Sequence, residues 1–499
     1  MRARRWSVMV LLGAGLTGCG KDLPAPPTGG AGDDTSATVD TAPGDSGGDS
    51  AEHTGETTAD DTAADTAGDT AADTGAFYTS AQVSGVSARL HEDIESLVYV
   101  RWEQEAPGAV WVEYSVDDGE WRSTPPIDAE VGSQEHLLLG VPYEHTVAFR
   151  VANDFGPDMP PDGPLLSDEG AATTGPVPAG VPLPTVLISD PAAWEPTGEY
   201  LYASVASLDF AMWRFIMDRQ GRLVWCQANQ GTGFGTFYAR VSYDGGDLLW
   251  DEVDFFGKAG DASVYRMKID GTLVDAYETR DHHHAFVDLP DGSIVWGAFP
   301  MDGSPETLEK RSPDGSQETV WTSDVGWISN SLYWDEASDS FLYSFFTTDT
   351  VVAIDHATGA ELERWGVEGS WSFDPPESQF YMQHGVEWTP AGTLLLSAHA
   401  EEESVEGVAR EYAVDREART LTEVWSFGVG EGIEAPSFGE ARRLPGGNTL
   451  QNYGTNPRLR ETTPDGEVVW DVVWGDDTGR PAELIARSVY LQDLYAFAP

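Results

Sequence analysis

Three consecutive histidines, His282, His283 and His284, open the stretch RDHHHAFVDLPDGSIVW in a chain that has ten histidines in 499 residues. Imidazole titrates near neutral pH and serves as nucleophile, acid, base or metal ligand. The run is therefore open to three readings: a catalytic site, a metal site, or solvated side chains at a loop end. Spacing narrows the question. His284 lies eight residues before Gly292 of a Pro-Asp-Gly turn, and His384 lies eight before Gly392 of a Pro-Ala-Gly turn. A metal reading would use His282, His284 and His384, but no carboxylate directly follows the histidines in sequence to orient the rings. No phosphate loop, zinc-spaced cysteine set or nucleophile elbow competes with the histidines. No metal and no cofactor is expected.

The elements that position these residues form a repeat over 183–499. Short apolar/polar alternations are separated by turns, and almost no segment has helical period. One series of turns falls near Gly198, Gly245, Gly292, Asp339, Gly392 and Gly447, 47 to 55 residues apart. A second series lies between them, from RQGRLVW through SPDGSQETVW to TPDGEVVWDVVW. Six repeats with two hairpins each predict six four-stranded blades, a β-propeller. Strands entering the first hairpin of each blade line a central channel, so His284 and His384 should meet at its mouth. Strand alternation predicts His282 on the face of His284, with His283 pointing away. Trp225, Trp321, Trp365, Trp425 and Trp470 recur after the second turn and are expected to pack blade on blade.

The first half of the chain reads differently. Residues 1–18 form a signal peptide: Arg2, Arg4 and Arg5 precede the apolar run VMVLLGAGL, too short to span a bilayer. LTGC, ending at Cys19, resembles the bacterial lipobox, which implies lipidation of Cys19 and an exported protein at the outer membrane. Residues 19–78, rich in Asp, Thr, Ala and Gly, cannot bury enough apolar surface to fold and form a tether. Residues 79–157 alternate as a β-sandwich, and Trp102, Tyr114, Leu139, Tyr143 and Val151 sit where a fibronectin type III domain has its core. A linker, 158–182, follows. The fold class is all-β: a fibronectin type III-like sandwich, then a six-bladed β-propeller. The formal net charge of −56 disfavours nucleic acid and anionic lipid surfaces as partners. The membrane contact is then the lipid anchor alone. Cys226 is left without a second cysteine to pair with and is expected to be buried.

The propeller resembles the bacterial arylsulfotransferases. The carriers are HHAFVDLPDG (283–292), NSLYWDEASDSFLYS (330–344), VVAIDHATGAELERWG (351–366), QHGVEWTPAGTLLLS (383–397) and ARRLPGGNTLQ followed by ETTPDGEVVW. The resemblance implies transfer of sulfate from an aryl sulfate ester to a phenol, with no nucleotide donor. It places His384 as the group that accepts the sulfuryl and His284 as its acid/base partner. It places His283 and Asn330 against the substrate, a small aromatic or sulfated molecule. The sequence departs from the family at four places. Ile328 stands where a histidine is expected, and Phe346 or Thr347 where an arginine is expected. Ala285 and Gly385 replace acidic residues. Lost oxyanion donors cost about 2.7–4 kcal/mol each, so an arginine from another blade, such as Arg410 or Arg442, would have to reach the channel. The alternative is an inactive propeller acting as a surface binding or scaffold protein.

Overall fold

The computed structural model describes residues 82–154, 163–229, 235–253, 262–300, 302–325 and 328–499. Cys19 and the stretch read as a tether lie outside them. The chain from Phe77 to Pro499 forms one compact unit, and the regular structure of its described part is almost wholly strand. No helix there is long and apolar enough to cross a membrane.

Residues 83–154 form two facing sheets. Val83–Leu90, Val98–Gln104 and Gly132–Leu138 make one; Gly108–Val116 and Thr146–Asp154 centre the other. Period-two burial puts Val98, Val100 and Trp102 inward against Val110, Val112, Tyr114, Phe149 and Val151. Leu139 and Tyr143, expected in that core, are instead buried against the sheet that follows. Leu139 packs with Tyr200 and Trp225. Tyr143 packs with Leu201, Phe215 and Leu223, and the Cys226 thiol meets its hydroxyl at 3.6 Å. Burial pushes that thiol up to about 11. The stretch read as a linker is partly strand as well: Leu165–Leu166 and Gly170–Thr173 both pair with Thr146–Asp154.

Among the described residues, 185–491 fold into six sheets of four or five strands, antiparallel throughout except that Ser372–Asp374 pairs in parallel with Thr420–Phe427. Five sheets take their inner strand from the start of the repeat: Ala239–Val241, His282–Asp288, Ser329–Asp335, Tyr381–Trp388 and Glu440–Arg443. The first sheet departs from the sequence pattern. The residues before Gly198 do not supply its inner strand. Ala482–Leu491, from the C-terminus, pairs with Tyr200–Ser207 and takes that place.

The recurrent tryptophans join neighbouring sheets at five of the six junctions; the second sheet carries none of them. Trp225 Nε1 donates to the Ile269 carbonyl of the second sheet at 2.8 Å. Trp321 packs edge-on to Tyr343, and Trp365 edge-on to Trp388. Trp425 Nε1 donates to Pro464 O at 3.1 Å. Trp470 of the last sheet donates to Arg219 O of the first at 2.9 Å, which ties the end of the series to its beginning. Each ring removes a large apolar face from water.

Candidate functional site

Four inner strands bring the site together: His282–Asp288, Ser329–Asp335, Tyr381–Trp388 and Ala482–Leu491. His384 is buried on the third of these. Its Nδ1 lies 2.9 Å from the Met382 carbonyl. A carbonyl only accepts, so the proton sits on Nδ1 and the lone pair on Nε2. Met382 can present its carbonyl because its backbone is left-handed, φ 49°, a conformation costing about 1–3 kcal/mol outside glycine. The Asp349 carboxylate holds that turn, accepting the Met382 amide at 2.7 Å. Burial, then the positive charge of Arg487, pushes the His384 imidazole down to about 3. At neutral pH it is an uncharged ring with a fixed tautomer.

The histidine run does not alternate as a regular strand would. Its pairing with Ile294–Ala298 is irregular between His282 and Phe286, and this puts His283 and His284 together. Their Nδ1 atoms lie 2.6 Å apart. His282 turns instead to Thr279 Oγ1 at 3.1 Å, with Asp251 at 3.9 Å. Burial, then the neighbouring His283 charge, pushes His282 down to about 3. The expectation that His282 shares the face of His284, with His283 turned away, fails at this bulge. Among the described residues no three metal-ligating side chains are grouped.

A carboxylate that is distant in sequence completes the pair. His283 Nε2 lies 3.1 Å from Glu306 Oε1. Glu306 also accepts the Ser329 amide, at 3.2 and 3.1 Å, and the Tyr343 hydroxyl at 2.6 Å. Burial alone would raise this carboxyl; the His283 charge and the donors around it outweigh that and hold it below its ordinary range. His284 lies at the other end of the chain Glu306–His283–His284. Burial, then His283 and His384, pushes His284 well below the usual imidazole value. Sequence reasoning missed Glu306 because it looked for an acid beside the histidines, whereas this one sits just before the Thr307–Arg311 strand.

The walls are aromatic. Phe237 and Phe438 lie 5.6 and 5.9 Å from the His284 ring, and Phe346 lies 5.6 Å from the His384 ring. Asn330 joins two strands through Nδ2, which donates to the Gln383 carbonyl at 2.7 Å. Its buried Oδ1 has no hydrogen-bond partner among the described residues. Ile328 is buried at φ 62°, an outlier for a β-branched residue. Neither arginine named from sequence is free to clamp an anion here. Arg410 is paired with Glu423 and donates to Ala400 O; Arg442 donates to Glu440 at 3.2 Å. Arg487, which no sequence motif singled out, donates instead to Gly439 O at 2.6 Å and Asn330 O at 3.0 Å. Its charge acts on both His284 and His384.

A surface cleft of about 500 Å³, lined by Arg240, Tyr243, Asp288, Tyr333, Trp334 and Glu336, lies at the opposite ends of the same strands. It is remote from the imidazoles.

Residues 314–475 match the family model described as arylsulfotransferase (ASST). The match supports the arylsulfotransferase family. It takes in Asn330 and His384 and leaves out the histidine run and Arg487. No curated protein matches the chain. Among solved structures, a protein of unknown function from Bacteroides caccae is 14% identical with a TM-score of 0.42, covering 58% of this chain and 98% of that one. TolB from Acinetobacter baumannii is 11% identical with a TM-score of 0.41, covering 70% and 80%. An auxiliary nutrient binding protein from Bacteroides ovatus is 12% identical with a TM-score of 0.35, covering 82% and 92%. Similarity this low carries no argument about what the chain does.

Proposed function

We propose that this protein transfers sulfate from an aryl sulfate ester to a phenolic acceptor through a histidine intermediate. In this reading it is a six-bladed propeller of the arylsulfotransferase type behind a fibronectin type III-like sandwich. The observation that carries the reading is His384: neutral, with Nε2 bearing the lone pair, and set among aromatic walls. Nε2 attacks sulfur, the bond from sulfur to the aryl oxygen breaks, and the leaving phenolate takes the Nε2 proton of His284 while His283, holding the pair's extra proton beside Glu306, passes its Nδ1 proton to His284. An acceptor phenol then gives its proton to His284 and attacks sulfur, the bond from Nε2 breaks, and the new aryl sulfate leaves. The proton count closes over the two half-reactions.

The carboxylate and the paired rings give His284 its acid/base capacity. A lone imidazolium at His284 would be buried and repelled. A proton taken at its Nε2 is matched by passage of the Nδ1 proton to His283, so the positive charge rests beside Glu306. We therefore read His283, expected to touch the substrate, as acting through His284, since both its nitrogens are engaged. Asn330 remains the candidate for a substrate amide contact through its second N–H.

We place the protein outside the cytoplasm, held by lipid on Cys19 at the outer membrane. The second reading is a surface binding or scaffold protein, and Ile328 and Phe346 favour it by putting apolar groups where polar ones are expected. Release of nitrophenol from 4-nitrophenyl sulfate, dependent on an added phenol and abolished by His384→Ala, supports transfer. Tight binding of the ester with no release in any buffer supports the second reading.

A further inference from the structure

Gly385 follows His384 directly and has no side chain at a place where one would collide. A Cβ there would lie 2.8 Å from Arg487 Nη1 and 2.9 Å from Glu440 Cα. The Arg487 guanidinium fills this space, beside the candidate nucleophile. It is delivered by the C-terminal strand that completes the first sheet, and its carbon lies 5.2 Å from the centre of the Tyr238 ring. The contacts that hold it are two backbone carbonyls, Gly439 and Asn330. Its carboxylate neighbour, Glu440, is 3.9 Å away. That carboxylate also accepts from Arg442 at 3.2 Å and from the Ser488 amide at 3.1 Å. The Arg487 guanidinium is oriented by carbonyl dipoles, and its carboxylate partner, Glu440, is shared with Arg442, so the two guanidinium groups outnumber the carboxylate. A planar guanidinium is the fork that suits a tetrahedral oxyanion.

We propose that Arg487 is the anion-binding cation of this channel, and that its single charge selects singly charged sulfuryl esters over doubly charged phosphoryl esters. The proposal rests on the sulfuryl-transfer reading above and adds its charge selectivity. His284 and His384 are neutral rings and bring no further positive charge. Glu306 is balanced within its own cluster with His283. A sulfate monoester brings one negative charge and is matched. A phosphate monoester brings close to two at neutral pH, and the second charge would enter a buried site unpaired. The strongly acidic chain adds to that penalty from a distance. Arg487 also accounts for the absence of a usable arginine at 346: a guanidinium reaches the histidines from a different strand.

The test uses benzenesulfonate, a singly charged ligand that donates no sulfuryl group, against phenyl phosphate, by calorimetry on the intact protein. The sulfonate should bind the wild type at least about tenfold more tightly than phenyl phosphate near pH 7.5, on the scale of one charge-assisted hydrogen bond. Below about pH 5.5, where phenyl phosphate takes up one proton and becomes a monoanion, the two should converge. Arg487→Gln should lose about 10–100-fold in sulfonate affinity and leave binding of neutral phenol unchanged. If Arg487→Gln does not fold, the convergence with pH in the wild type still decides the matter. Equal binding of both ligands at pH 7.5, or sulfonate affinity indifferent to Arg487→Gln, overturns the proposal. Sulfonate binding that depends on Arg487 with no sulfuryl transfer leaves the anion site standing and removes the transferase. Transfer that is indifferent to Arg487 does the reverse.

Discussion

Replacing His384 by asparagine should flatten the response of stability to acid, by an amount set by its burial. The imidazole is held at about 3 in the fold, against 6.5 when exposed. The unfolded chain therefore binds a proton at this position as pH falls below about 6.5, while the folded chain does not. The folded state is favoured above that value, and the advantage drains away as pH drops towards 3. Between about pH 7 and about pH 5 one such histidine costs about 2 kcal/mol, from about 1.5 units at 1.36 kcal/mol each. His282, also held at about 3, contributes the same slope in both proteins and cancels. Asparagine cannot titrate, and its amide can still donate to the Met382 carbonyl. Urea unfolding of wild type and His384→Asn at the two pH values gives the double difference directly. The wild type should lose about 2 kcal/mol more than the variant. Equal losses within about 0.5 kcal/mol would mean that His384 is not a buried neutral ring, and the case for a poised nucleophile would go with it.

Glu306→Gln removes the charge that stabilises a proton on His283; kcat/KM for 4-nitrophenyl sulfate should fall by about 10²-fold or more, with its pH profile displaced, while KM for the ester changes little. An unmoved pH profile would assign Glu306 a purely structural role. Gly385→Ala combines a left-handed backbone, φ 59°, with a Cβ too close to Arg487 and Glu440. It should cost about 1–3 kcal/mol in urea unfolding; a neutral substitution would show that Arg487 is not packed against this glycine. Cys19→Ser should move the protein from the membrane fraction to the soluble exported fraction without altering its unfolding curve, and full retention in membranes would refute the lipid anchor.

Much of the β architecture could be read from the chain because turns and strands carry local signals. Gly292 and Gly392 mark equivalent hairpins, and the tryptophans after the second turns lie where neighbouring sheets meet. The inner strand of the first sheet could not be read, because Ala482–Leu491 pairs with Tyr200–Ser207 across nearly the whole length of the repeat. The site was legible only in part. His284 and His384 were found from their shared distance to a turn. The contact between His283 and His284 depends on a bulge, and strict alternation predicts the opposite. Glu306 and Arg487 carry no motif. One reaches the histidines from the neighbouring part of the same sheet and the other from the C-terminal strand. The space that admits Arg487 is marked in the sequence only by a glycine where the related pattern has an acid.

The most direct test of the account is capture of the intermediate. The protein would be mixed with ³⁵S-labelled 4-nitrophenyl sulfate without acceptor, quenched in alkali to preserve a sulfuryl–imidazole bond, digested and mapped. The account predicts one sulfuryl group per chain on His384, formed with a matching burst of nitrophenol, discharged by added phenol, and absent in His384→Ala. Nitrophenol release with no label on His384, or label that persists in His384→Ala, would contradict it.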